Sequence, residues 1–123
     1  MARRERDGKS RAAEFVKVYR FMTEGMGLTG TSLLVYARIF GFCKDTGGSF
    51  WESRRGTAEF LGISERQVNR VIAGLESHGL IECLGEWRLP NGRITKRYEV
   101  TEEPVKRALR TVAKRHDPSL FDP

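Results

Sequence analysis

The sequence predicts an α+β domain: a three-helix core, a β-hairpin and a C-terminal helix. Three observations predict it. Residues 53–78 hold two helical patterns broken at Gly62. Residues 81–100 alternate apolar and polar side chains about Pro90-Asn91-Gly92. Thr101-Glu-Glu-Pro104 then opens a further helix, with a capping residue, two acids facing the helix dipole and proline inside the first turn. At 123 residues the chain has the size of one ordinary domain.

Taken in order, residues 1–13 carry Arg3, Arg4, Arg6, Lys9 and Arg11 with no apolar periodicity and read as a basic, flexible arm. Phe15, Val16, Val18, Tyr19, Phe21 and Met22 form an apolar cluster, expected as a short strand running into a turn or helix. Gly25, Gly27 and Gly30 interrupt it. A helix is expected from Thr29, capped by Thr29 or Thr31. Leu33, Leu34, Val35, Tyr36, Ala37, Ile39, Phe40 and Phe42 surround it almost completely, which marks the buried central helix. Asp45-Thr-Gly-Gly48 ends it. Ser49-Phe50-Trp51 suits a very short strand.

Ser53 is the expected cap of a second helix that stops at Leu61-Gly62. Ser64 and Gln67 form a capping box that starts the third helix, and Gly79 ends it. In the hairpin, Ile81, Cys83, Trp87 and Leu89 are expected on one face with Ile94, Tyr98 and Val100. A two-residue Asn91-Gly92 turn keeps these sets together; a three-residue turn with a bulge at Gly92 is the alternative and shifts the register by one. In the closing helix Val105, Ala108, Leu109 and Val112 share a face, and Lys114, Arg115 and His116 suit its C-terminal end. The divisions are therefore 1–13, arm; 14–100, main domain; 101–116, closing helix; 117–123, tail.

Composition excludes several classes of function. No apolar run approaches the roughly 20 residues of a spanning helix, and the N-terminus lacks the apolar segment of a signal peptide, so no membrane is expected and the cytoplasm is. Cys43 and Cys83 lie in apolar segments, where a free thiol behaves as a small hydrophobe. His78 and His116 are far apart, and there is no Gly-rich phosphate loop, metal-spaced His/Cys set or nucleophile elbow. Catalysis, cofactors and metals are not expected. Trp51 and Trp87 read as packing residues. The net charge of +6 favours a polyanionic partner.

The second and third helices, joined by about three residues around Gly62, have the spacing of a helix-turn-helix. Val68, Val71, Ile72 and Leu75 recur at helical intervals and must face the core. Arg66, Arg70, Ala73 and Ser77 then face outward, flanked by Gln67 and Asn69. Arginine pairs with guanine O6 and N7, asparagine or glutamine with adenine N6 and N7, and small residues admit close approach to a groove. The helix start at Ser64 also favours phosphate. Arg54 and Arg55 are placed for phosphate contact, as are Arg93, Lys96 and Arg97 on the hairpin, with Arg88 nearby. The expected partner is double-stranded DNA.

Leu61-Gly-Ile-Ser64, Val68, Arg70, Leu75-Glu76 and His78-Gly-Leu-Ile81 resemble the signature of bacterial winged helix-turn-helix DNA-binding domains. Phe15-Val-Lys-Val-Tyr-Arg-Phe-Met22, Leu28-Thr-Gly30 and Leu34-Val-Tyr-Ala37 through Phe42 resemble the N-terminal domains of phage and plasmid replication-initiation, or replisome-organiser, proteins. The resemblance covers about residues 14–100. It implies a hairpin wing against the minor groove or backbone, and sequence-specific binding in replication initiation or its control. A transcriptional repressor and a protein-interaction module are the alternatives. A second copy of the chain and other replication proteins are the further partners implied. Thr57 departs from the family, which usually has leucine there. Ser119-Leu-Phe121 resembles the end of the short peptide by which replication proteins bind the sliding clamp.

Overall fold

The computed structural model describes residues 12–45 and 48–116. Nearly all of the expected arm, two residues of the Asp45–Gly48 turn and the tail with its clamp-like segment lie outside them.

Residues 14–19 run without regular structure into a single π-helical turn, Phe21–Gly25. The Met26 amide donates to Phe21 O at 2.9 Å, and Phe21 and Met22 are buried. No strand forms here: Val16, Tyr19, Phe21 and Met22 pack on the core, with Tyr19 and Phe21 against Phe40 of the helix that follows, while Phe15 and Val18 stay exposed. Helix α1, Gly30–Asp45, starts where expected, the Thr29 carbonyl accepting from Leu33 N at 3.2 Å. Val35, Tyr36, Ala37, Ile39 and Phe40 are all buried. An all-round apolar helix has this fate because every side needs a neighbour. Its neighbours are the π turn, the next two helices and the second strand.

Helix α2, Arg54–Leu61, is capped by Ser53, whose Oγ accepts from Gly56 N at 2.9 Å. Gly62 ends it with a left-handed φ of 72°, a conformation that glycine adopts without Cβ strain. Helix α3, Glu65–Ser77, begins at the expected capping box: Gln67 N donates to Ser64 Oγ and Ser64 N to Gln67 Oε1, both at 3.1 Å. Val68, Ile72 and Leu75 are buried against α1 and α2.

Strands β1, Ile81–Arg88, and β2, Ile94–Val100, form an antiparallel hairpin. Its turn corrects the two-residue expectation. Leu89 N donates to Arg93 O at 2.7 Å and Gly92 N to Leu89 O at 2.9 Å, so the loop is Pro90-Asn91-Gly92. Pro90 has no N–H with which to close a pair against Arg93, so pairing retreats to Leu89. Gly92 supplies the positive φ, 88°, that this longer loop demands. The register moves again at Leu84, between the Cys83–Tyr98 and Gly85–Arg97 pairs. This bulge exchanges the two faces along β1. Ile81, Cys83, Tyr98 and Val100 keep the core face, whereas Trp87 pairs with Thr95 and leaves it. Phe50 adds a one-residue bridge to Tyr98, all that forms of the expected Ser49–Trp51 strand.

Helix α4, Glu102–His116, packs on the π turn. Ala108 is buried at this contact and Val105 and Val112 flank it, but Leu109 is 51% exposed and so lies outside the expected stripe. Cys43 and Cys83 are free thiols. Burial pushes the Cys43 thiol above its ordinary value, keeping it a small neutral group. Among the described residues, no helix is long and apolar enough to cross a membrane.

Candidate nucleic-acid interface

The surface of interest is assembled by burial of the opposite side of α3. With Val68, Ile72 and Leu75 turned inward, Arg66, Asn69, Arg70, Ala73 and Ser77 are all exposed. Arg66 and Arg70 make no side-chain hydrogen bond within the described protein. They are exposed cations on one helix, one turn apart, with small residues beyond them. Ser64 and Gln67 have another occupation: the cap holds the Ser64 hydroxyl and the Gln67 carbonyl oxygen, and Gln67 is half-buried. The cap fixes where α3 starts and therefore where Arg66 and Arg70 stand.

The two arginines at the start of α2 differ in what they do. Arg55 is exposed and paired only with Glu59 on its own helix, at 3.2 Å. A solvent-exposed pair of this kind is worth little, so a phosphate competes with it at small cost. Arg54 is committed within the domain. Its Nε–H donates to Asn69 Oδ1 at 2.8 Å and its Nη2 donates to Tyr98 Oη at 3.0 Å. Its guanidinium also lies 5.4 Å from the centre of the Tyr98 ring. One side chain thus joins the first helix of the helix-turn-helix, the exposed helix and the root of the hairpin. Sequence reading missed this link. Spacing within α2 assigns Arg54 to the surface, and only the fold brings β2 beneath it.

On the hairpin, Arg88, Arg93 and Lys96 are exposed near the tip, and the Arg93 amide is fixed by Asn91 Oδ1 at 2.9 Å. Arg88 Nη1 donates to Gly92 O at 3.3 Å. Arg97 is half-buried, its guanidinium 4.6 Å from the ring centre of Trp87, which the bulge brings to its face, and its Nε is enclosed without a hydrogen-bond partner among the described residues. Trp87 covers Gly85, where a Cβ would stand 3.4 Å from the ring. Glu82 and Glu99 oppose each other at the root, so acid and base are separated along the hairpin except at Glu86, which opposes Lys96.

Each histidine has a partner within the domain. His78 Nδ1 bonds Gly74 O at the end of α3, at 2.8 Å, and His116 Nε2 meets Glu24 Oε1 at 2.7 Å.

Two solved structures are similar to this chain in fold. One is described as "Possible transcriptional regulator from Methanosarcina mazei Go1"; it superposes with a TM-score of 0.51 and 16% identity over 89% of this chain and 90% of that one. The other, "N-Terminal domain of DNA binding protein", gives a TM-score of 0.52 and 16% identity over 94% of each chain. The fold is a winged helix-turn-helix. No protein-family model matches the sequence, and no curated protein does. In the terms of this fold, α2 and α3 are the helix-turn-helix, β1 and β2 the wing, and α3 the helix whose free face carries Arg66, Asn69 and Arg70.

Proposed function

We propose that this chain is a sequence-specific binder of double-stranded DNA, a binding module and not an enzyme. Helix α3 enters the major groove, Arg55 meets the backbone beside it, and the wing meets the flanking backbone or minor groove through Arg93, Lys96 and Arg97. One observation carries the reading. The outward face of α3 combines two unpaired arginines with an exposed asparagine and small residues, on a helix whose start is fixed by a capping box. Arginine offers the paired donors that guanine accepts.

The likeness of residues 15–42 to replisome-organiser domains favours replication initiation or its control. One structural neighbour is described as a transcriptional regulator, which favours a repressor. Occupancy of an origin against occupancy of a promoter separates the two. The DNA reading itself is tested by anisotropy titration of labelled duplexes across a salt series. Binding that weakens steeply with salt is the expected result. Absence of binding to any duplex at low salt overturns the proposal and favours a protein-interaction module.

A further inference from the structure

We infer that Asn69 reads a guanine and that Arg54 is the positioning residue that sets this preference; the inference rests on α3 lying in the major groove. An unconstrained asparagine suits adenine, because its carbonyl oxygen accepts from N6 while its amide donates to N7. Here the amide is not unconstrained. The Nε–H of Arg54 can only donate, so the atom 2.8 Å away must be the Asn69 carbonyl oxygen. The orientation of the amide follows from donor chemistry. Arg54 is itself held by Tyr98, only 2% exposed, through Nη2 at 3.0 Å and through the ring face. The clamp is therefore anchored in the core and not on a mobile side chain.

Two consequences follow at the groove. The end of Asn69 with no protein partner is its NH₂ group, a pair of donors. The oxygen that would accept from an adenine N6 is turned toward a cation. Guanine presents two adjacent acceptors, N7 and O6, and matches a pair of donors; adenine sets a donor, N6, against them. Asn69 thus resembles the neighbouring arginines in what it offers, and the face of α3 is biased toward keto bases.

The test is selection from a randomised duplex library with the full chain, followed by competition titrations on the selected site. The wild type is expected to prefer guanine over adenine by about ten-fold at one position, and Asn69→Ala is expected to lose preference at that position alone. Arg54→Met keeps the bulk over Tyr98 but releases the amide. Adenine is then admitted there, while the other positions and the salt dependence stay as they were. Asn69→Asp keeps the contact with Arg54 and replaces the outward donors by an acceptor, so the preference moves to cytosine, whose N4 donates. This variant decides the matter even if Arg54→Met fails to fold. An adenine preference in the wild type, or a motif indifferent to Asn69→Ala, overturns the inference and leaves the DNA reading standing. So does uniform weakening by Arg54→Met with a log–log salt slope smaller by about 0.9, the mark of a phosphate contact. No duplex selected at all overturns both.

Discussion

Thr57 is fully buried, and its hydroxyl donates to Glu52 Oε1 at 2.8 Å. Glu52 in turn accepts from two nitrogens of Arg38, Nε at 3.1 Å and Nη2 at 2.7 Å. The Arg38 side chain is 11% exposed and its guanidinium lies 3.8 Å from the Phe60 ring centre. The three residues tie α1 to the cap region of α2, which gives the Thr57 hydroxyl a buried partner that an aliphatic side chain could not use. Magnitudes rank the members. Thr57→Val keeps the shape and removes one hydrogen bond, so it is expected to cost about 1 kcal/mol. Glu52→Ala strands a nearly buried cation, left with only Glu14 at 3.8 Å, and is expected to cost about 3 kcal/mol. Urea unfolding of the two variants checks the order; equal losses would mean that Arg38 finds another partner. The exposed arginines behave oppositely. Arg66→Ala and Arg70→Ala are each expected to cost about 1–3 kcal/mol of binding on the selected duplex, with unfolding unchanged, because neither side chain supports the core. Calorimetric binding and urea unfolding on the same samples separate the two effects. These roles differ in how far the sequence discloses them. Arg66 and Arg70 follow from the helical period of Val68, Ile72 and Leu75. Arg54 does not, since its partners Asn69 and Tyr98 stand 15 and 44 residues away.

At the scale of elements, α4 depends on a close approach. A Cβ on Gly25 would stand 2.6 Å from the Ala108 Cβ and 2.7 Å from the Ala108 carbonyl oxygen. Gly25→Ala is therefore expected to push α4 from the π turn and to cost about 1–3 kcal/mol. Ala108→Gly removes only the methyl from the clash, so the double variant recovers only part of the loss, as thermal unfolding would record. The far end of α4 is tied by His116 to Glu24. Its hydrogen bond to His116, with Arg20 assisting, holds the Glu24 carboxyl below the usual carboxylate range. A carboxylate depressed in the folded state stabilises it above the unfolded-state value and loses that contribution as pH falls through the folded one. NMR titration of the Glu24 carboxyl is expected to show the low value in the wild type and a rise toward the ordinary one in His116→Ala. The helix itself was legible from Thr101 to Pro104, and its π-turn partner was not, since glycines at 25, 27 and 30 read only as breaks. The hairpin shows the same divide. Its strands follow from alternation, but Gly85 sits in the middle of β1 and hides the bulge at Leu84 that sends Trp87 to the other face.

For the molecule as a whole, the order of the four α-helices and two strands was legible because the helices carry their own periods and end signals and the strands their alternation, and those signals agree with one another. What lies between elements was legible only in part: the contacts of α1 follow from its apolar girth, whereas the seating of the wing, by packing on α1 and α3 and by the Arg54 link to α2, joins residues far apart in sequence. That seating bears on how the molecule grips a duplex. The proposed DNA-facing cations come from three elements: Arg55 on α2, Arg66 and Arg70 on α3, and Arg88, Arg93 and Lys96 on the wing, all exposed. If the wing rides on the backbone while α3 reads bases, their losses must differ in kind. Arg93→Ala and Lys96→Ala are each expected to reduce the log–log salt slope by about 0.9 and to weaken selected and random duplexes alike. Arg66→Ala is expected to weaken the selected duplex more than the random one. The comparison is made on one protein preparation with two duplexes over the same salt series. Wing variants that keep the wild-type slope would place the hairpin away from the DNA, and the grip would then rest on α2 and α3 alone.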